Sequence, residues 1–486
     1  MWFNSWEFLI FLPIALFLYY AFNHRIQNAW LLTASYVFYG MWDWRFLFLI
    51  LASTLVDYFA SLYIFNYAST PIKRKFGLYL SLLVNLGALG IFKYFNFFLD
   101  NFIALGGIIG LNLDTPVMRL LPPAGISFYT FQTLSYTIDV YFNKQKPEKS
   151  LVDFALYVSY FPQLVAGPIE RASRLLPQIT NKRYVNYNMI RSGLTLILIG
   201  FFKKIALADY AADIVETAFS NPGESRSVLL LNGLYMFSLQ VYCDFSGYSN
   251  IARGVSKLFG IELMENFQTP YLARNIADFW RRWHISLSTW FRDYLFLPIA
   301  YSSTRKMSQK KYFGIRSDKI VYSFAISVTF LLCGFWHGAA WTFVIWGGLH
   351  GIYLIAYKLW FEKGLRLPSK VSLKISPRIK DFVFILITFH LVSISWIFFR
   401  SPNISTAWEY LTRLLSFIRP FNPIILLTPL VLFALLFPID YTQSRKNDLL
   451  QISSWKVIHK AVYYLIIILS IIIFSGNEIP FIYFQF

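Results

Sequence analysis

Cysteine is nearly absent: Cys243 and Cys333 are the only two in 486 residues, which excludes a disulfide framework. Charge is scarce as well. Lys, Arg, Asp and Glu make up 14% of the chain, against about a quarter in a soluble domain. That leaves too little polar surface to cover a water-soluble globule. At 57% hydrophobic residues the chain is also too apolar to be disordered. Acidic residues are the scarcest, 25 against 44 Lys and Arg, for a net charge of +19. The basic residues sit between apolar runs and form no domain of their own, so a nucleic-acid partner is not expected. No Gly-x-x-x-x-Gly-Lys-Ser/Thr loop occurs, which argues against ATP-driven transport. No His-x-x-x-His or Cys-x-x-Cys pair occurs either, so no metal site is expected. No internal repeat is visible, which weakens a transporter built from inverted repeats.

What is present is a succession of apolar runs from Phe8–Phe22 to Ala461–Ile473. A run of about 20 residues crosses the hydrocarbon of a bilayer, and ten to twelve crossings are expected. The first run follows Met-Trp-Phe-Asn with no basic stretch before it, unlike a cleaved signal. Basic clusters between runs, among them Arg171–Arg183, Arg305–Lys319 and Lys358–Lys380, are expected on the cytoplasmic side. Runs interrupted at Pro122-Pro123 and Pro162–Pro168 suggest re-entrant or kinked helices, because irregular backbone survives at membrane depth only where protein surrounds it or it lines a cavity.

Two segments carry candidate chemistry. Over Asp278–Tyr294, at 100° per residue, Trp280, Trp283, Leu287, Trp290, Phe291 and Tyr294 share one arc, with Arg281, Arg282, Ser286, Arg292 and Asp293 opposite. This predicts one amphipathic helix lying in the membrane plane, with His284 at the edge of its apolar arc near the water; a surface anchor with an incidental histidine gives the same pattern. In Cys333-Gly-Phe-Trp-His337-Gly-Ala-Ala-Trp, an imidazole stands in an uncharged stretch from Ile320 to Tyr357, where an ionisable group is costly. The small residues Gly334, Gly338, Ala339 and Ala340 would let a neighbouring helix or a ligand chain approach His337. His350 and His390 lie in apolar runs without such a collar, and His24 and His459 near the ends of runs. Cys333 is one helical turn from His337, so a Cys–His pair is geometrically open.

Asp278–Pro298 and Gly334–Gly351 resemble the signatures of the membrane-bound O-acyltransferase superfamily, in its bacterial alginate O-acetyltransferase membrane-subunit branch. Phe131–Tyr141, Phe161–Glu170 and Tyr242–Tyr248 support the resemblance, which covers about residues 120–350. It implies an all-α polytopic fold, a single domain over 1–486 of about eleven transmembrane helices, with in-plane and re-entrant helices around a central funnel or tunnel. It makes His337 and His284 the catalytic pair. It further implies a bacterial inner-membrane enzyme that takes an acyl group from a cytoplasmic thioester, acetyl-coenzyme A or a carrier-bound donor, towards an extracytoplasmic polysaccharide or cell-wall glycan. No cofactor would stay bound, and a periplasmic SGNH-type acetyltransferase would be the partner. D-alanyl transfer to teichoic acid is a related activity, and a transporter relaying protons through buried histidines is the rival from another class.

Such a transfer needs a base, a polarised carbonyl and exclusion of water. An imidazole, with its ordinary pKa near 6.5, can take a hydroxyl proton at neutral pH. His337 suits that role by its depth, and His284 could bond the donor carbonyl or hold the acceptor. Arg281, Arg282 and Arg292 could meet the phosphates of coenzyme A or equally lipid headgroups. Trp283, Asp293, Trp336 and Asp244, from the same motifs, are further candidates for donor or acceptor binding.

Overall fold

The computed structural model describes residues 1–111, 119–312, 314–361, 376–416, 422–446, 455–474, 479, 481 and 482. Among these, twenty-one α-helices follow one another, with a single short hairpin pairing Lys311 with Arg316. Most of the basic stretch Lys358–Lys380 lies outside the described residues. Among the described residues, six stretches are long and apolar enough to cross a membrane. Two of them, His24–Asn66 and Pro71–Ile108, have 43 and 38 residues. Each holds residues enough for about two crossings, and the first is interrupted at Asp43, whose backbone is extended with φ −161° and ψ 108°. Trp6–Ala21 and Val457–Ile473 are shorter apolar helices. Exposed Phe17, Leu83 and Ile108 are side chains that suit lipid, not water. The chain is an all-α polytopic membrane protein.

The contacts divide the chain into two compact units. The first comprises Met1–Gly200 with Tyr248–Met264. It holds α1 (Trp6–Ala21), α2 (His24–Asp43), α3 (Leu47–Asn66), α4 (Pro71–Leu89), α5 (Phe95–Ile108), α6 (Ile126–Tyr141), α7 (Leu151–Ser159), α8 (Phe161–Leu164), α9 (Ala172–Thr180) and α10 (Tyr187–Phe201). The expected interruptions are there. Pro122-Pro123 precedes α6, whose N-cap is Gly125, and α7 breaks at Tyr160 before the single turn of α8. This irregular backbone is buried from Phe154 to Glu170, as the lack of water at such depth requires. Gly125 has φ +75°, and a Cβ there would stand 2.7 Å from the Leu164 carbonyl, so glycine is needed on both counts. Between α3, α4 and α6, the buried Asp57 carboxylate accepts from Ser81, from Asn85 Nδ2 at 2.8 Å and from Thr137 Oγ1 at 3.0 Å. Side-chain hydrogen bonds of this kind tie helices together where apolar burial alone gives little drive.

The second unit comprises Phe201–Gly247 with Glu265–Ile482. It contains α11 (Tyr210–Ser220) and the first part of α12 (Ser227–Leu258). Then come α13 (Ile276–Arg282), α14 (Ile285–Phe291), α15 (Leu297–Lys306), α16 (Ser317–His337), α17 (Trp341–Ala356), α18 (Pro377–Arg400), α19 (Ile404–Leu415), α20 (Leu427–Lys446) and α21 (Val457–Ile473). The predicted crossing Ile320–Trp336 is realised as α16, with His337 as its last residue.

The small-residue collar near His337 serves helix packing. A Cβ on Gly334 would lie 2.2 Å from the Phe343 carbonyl oxygen, and one on Gly347 would lie 2.1 Å from that of Phe330. The backbones of α16 and α17 therefore meet at this glycine pair, and the Phe343 ring fills the space over Gly338. Neither backbone carbonyl can move without unwinding its helix. Gly347→Val should therefore lower stability by about 1–3 kcal/mol or more, read as the unfolding midpoint in detergent. Gly348→Val, where the nearest atom is a side-chain methyl at 3.6 Å, should cost much less. Equal shifts would show that the helices are not in contact at Gly347.

Candidate active site

The segment carrying His284 is not one helix. α13 ends at Arg282 and α14 begins at Ile285, with Trp283 extended and His284 in the left-handed conformation, φ 42° and ψ 56°. A residue with a Cβ in that region is strained by roughly 1–2 kcal/mol, so something must hold it. Asn266 does. Its carbonyl accepts from Ile285 N at 2.9 Å. Its side-chain Oδ1 accepts from Ser286 N at 3.1 Å and Ser286 Oγ at 2.9 Å, and lies 3.2 Å from His284 Nδ1. One strand-like segment thus clamps both sides of the reversal, assisted by Gln268 N on the Arg282 carbonyl at 2.9 Å.

The clamp fixes the state of the imidazole. A backbone N–H can only donate, so the atom facing Ser286 N is the amide oxygen of Asn266. An amide oxygen can only accept, so His284 Nδ1 carries the proton and Nε2 carries the lone pair. His284 is fully buried, with Phe245 edge-on at 4.6 Å and Trp336 at 6.3 Å between ring centroids. Burial pushes its pKa down to about 3, against the opposing pull of a backbone bond. The imidazole is neutral at pH 7. The expected position near water is thereby corrected: the reversal turns His284 and Ser286 inward, whereas a continuous helix would have kept Ser286 on the polar face.

His337 sits 4.9 Å from Trp336, 4.9 Å from Trp346 and 5.4 Å from Phe399 between ring centroids, each contact close to edge-on. Trp336 therefore touches both imidazoles, and Trp346 and Phe399 close the other sides of His337. Trp283 is buried too, stacked on Phe279 at 5.5 Å and lying 5.2 Å from Trp396. A dry, aromatic setting of this kind strengthens any charge interaction made inside it.

α13 and α14 form with α16 and α17 a groove of about 460 Å³, and Phe291 in its lining lies 6.4 Å from Trp336, the indole that both imidazoles meet. Arg281 and Arg292 line it together with Trp280, Phe330, Thr329 and Cys333. Arg281 reaches Asp278 only at 4.0 Å, while Arg292 is paired with Asp293 at 2.8 Å; both guanidinium groups are more than half exposed. Arg282 is held away by Asp278 at 3.1 Å and Thr269 at 3.2 Å. Asp244 is committed elsewhere: it pairs with Lys204 at 2.7 Å and accepts from the Ile482 backbone N–H at 2.6 Å. Of the other histidines, His24 bonds the Ile179 carbonyl at 3.0 Å, His390 bonds Tyr235 at 2.9 Å, His350 bonds Trp280 and Ser395, and His459 is exposed. Among the described residues no three His, Cys, Asp or Glu side chains converge as metal ligands. Asn266, Trp346 and Phe399 were not anticipated, since each lies far from one or both histidines in sequence, and Ser286 was expected on the polar face of one continuous helix.

The profile of the membrane-bound O-acyltransferase family matches residues 143–400, a span that contains both histidines and the groove. The chain is 39% identical over 418 residues to the probable alginate O-acetylase AlgI of Azotobacter vinelandii, covering 85% of this chain and 78% of that one. It is 36% identical to the peptidoglycan O-acetyltransferase of Helicobacter pylori, over 84% of this chain and 79% of that one. With the teichoic acid D-alanyltransferase of Bacillus subtilis it shares 32% identity, over 58% and 70% respectively.

If Asn266 holds the reversal, Asn266→Leu strands three donors in the interior and should cost about 2–5 kcal/mol. Ser286→Ala removes one bond while its backbone N–H keeps another, so about 1 kcal/mol is expected. Unfolding midpoints in one detergent decide. Similar shifts for the two variants would mean the clamp does not hold His284.

Proposed function

Because this chain belongs to the membrane-bound O-acyltransferase family, and so is a multi-pass acyltransferase, we propose that it O-acetylates an extracytoplasmic polysaccharide or cell-wall glycan from the bacterial inner membrane. The donor in this reading is a cytoplasmic thioester, acetyl-coenzyme A or a carrier-bound acyl group, and the acetyl group leaves on the outer side. A periplasmic SGNH-type acetyltransferase is the partner that passes it on. The observation that best supports transfer at this site is that two buried imidazoles, His284 and His337, pack against the same indole, Trp336. Relatives named for O-acetylation of alginate and of peptidoglycan, each matching most of the chain, support the acetyl group and the glycan.

The chemistry follows from the lone pairs. His337 takes the proton of the acceptor hydroxyl as its oxygen attacks the thioester carbon. The carbon–sulfur bond then breaks, and the proton passes from His337 to the leaving thiolate. His284, protonated on Nδ1, offers only the Nε2 lone pair, so it accepts a hydrogen bond from a second, neighbouring hydroxyl of the acceptor and does not polarise the carbonyl. That second task suits Asn266 Nδ2, a buried N–H donor with no partner among the described residues. N–H donors aimed at a developing oxyanion are worth most in a water-free site. The groove, apolar with Arg281 and Arg292 in its lining, fits a donor with an uncharged arm and phosphates.

The test is turnover of radiolabelled acetyl-coenzyme A by the purified protein in liposomes. The wild type should release coenzyme A, and His337→Ala should be slower by about a hundred- to ten-thousand-fold while remaining inserted and folded. Retention of more than half the rate by His337→Ala would remove the base assignment. Release of no coenzyme A by the wild type, with or without a periplasmic partner, would favour a transporter. Turnover of a D-alanyl thioester alone would move the protein to the teichoic-acid branch.

A further inference from the structure

His350, in the middle of α17, is fully buried, and both of its ring nitrogens are engaged. Trp280 Nε1 lies 3.3 Å from His350 Nδ1, and Ser395 Oγ lies 2.9 Å from Nε2. An indole N–H can only donate, so Nδ1 accepts and the neutral ring carries its proton on Nε2. Ser395 Oγ therefore accepts from His350 and directs its own hydrogen to the Val392 carbonyl at 2.6 Å. The bonds run one way, from Trp280 on α13 through His350 on α17 to Ser395 on α18. A protonated His350 would turn an N–H against the indole N–H, so the chain holds only with the neutral tautomer.

The ring contacts of His350 lead to both candidate catalytic histidines. The imidazole stacks on Phe279 at 6.1 Å and 13°, and Phe279 stacks on Trp283 at 5.5 Å and 17°. Trp283 is joined by its backbone to His284 at the reversal. On its other side His350 meets Trp346 at 4.9 Å, and Trp346 lies edge-on to His337 at 4.9 Å. Fixing one imidazole thus fixes the aromatic ring that precedes His284 and the ring that packs on His337.

We propose that His350 is a positioning residue for acyl transfer, a neutral hydrogen-bond bridge that sets the spacing of His284 and His337 through Trp280, Phe279 and Trp346. This rests on the catalytic reading of that pair, and nothing in it requires His350 to touch substrate. Displacing a reacting group by about 1 Å can cost a hundredfold in rate. Loss of the bridge should therefore lower kcat and leave KM nearly unchanged.

Glutamine can reproduce both bonds, with Oε1 accepting from Trp280 and Nε2 donating to Ser395, whereas phenylalanine can make neither. In liposomes, His350→Phe should lose about 10- to 100-fold in kcat per folded molecule, and His350→Gln should stay within about fivefold of wild type. Ser395→Ala, a milder change that leaves the helix side chains otherwise intact, should fall between them and keeps the test open should His350→Phe fail to fold. A second readout needs no turnover: modification of His284 by diethyl pyrocarbonate, followed by mass spectrometry. It should speed up at least about tenfold in His350→Phe and in Ser395→Ala less, but not in His350→Gln, because local loosening exposes buried groups. Folded variants with unchanged kcat and unchanged His284 reactivity would overturn the proposal. So would a folded His350→Gln as impaired as His350→Phe, since that would make the imidazole itself essential. If the wild type released no coenzyme A, the catalytic reading would fail, while the modification rates would still report whether His350 holds the reversal.

Discussion

The clamp of Asn266 on the reversal at His284 is the interaction on which the site depends. Without it a run rich in Trp and Arg would continue as one amphipathic helix and present His284 at its rim. With it the backbone enters the left-handed region at a non-glycine residue, φ 42°, and bonds to one asparagine from Ile285, Ser286 and His284 offset the strain. Each such bond contributes about 1 kcal/mol net, and each would cost more if broken and left buried. The reversal therefore forms together with the segment around Asn266 or not at all.

Burial and hydrogen bonding act on the imidazoles in the same sense. Water is excluded from His284, and its tautomer is set by the oxygen it faces, so it stays neutral and presents one lone pair. His350 is fixed in the opposite tautomer by an indole that can only donate. Around them Trp280, Trp283, Trp336, Trp346 and Trp396 replace solvent with rings whose polar edges are few. In such surroundings proton transfer between an acceptor hydroxyl and an imidazole is not diverted to water, which suits transfer of an acyl group over its hydrolysis. The glycine contact between α16 and α17 belongs to the same design: it brings His337, at the end of one helix, against Trp346 in the other.

Much of this was legible in the sequence. Long apolar runs gave the membrane class because bilayer thickness sets their length, and the burial of His337 followed from the uncharged stretch around it. The breaks at Pro162–Pro168 were marked by residues that cannot continue a helix. The break at His284 was not, since Trp283-His284 contains neither Gly nor Pro and the periodicity on both sides is helical. Its cause is a tertiary contact with a residue eighteen positions earlier. Asp244 was a candidate because its motif carries the resemblance, yet its partners, Lys204 and the backbone at Ile482, are distant in sequence. The collar around His337 was read correctly as permitting close approach, but Gly347, which meets Gly334, lies in the next helix.

The central claim is that His284 and His337 act on one acyl-transfer step. A double-mutant cycle in the transfer rate measures this directly, comparing His284→Ala, His337→Ala and the double variant under single-turnover conditions. Groups that work as a unit are strongly non-additive. The account predicts that the double variant is no slower than His337→Ala alone by more than about threefold. Losses that multiply, with the double variant slower by the product of the two single effects, would contradict it.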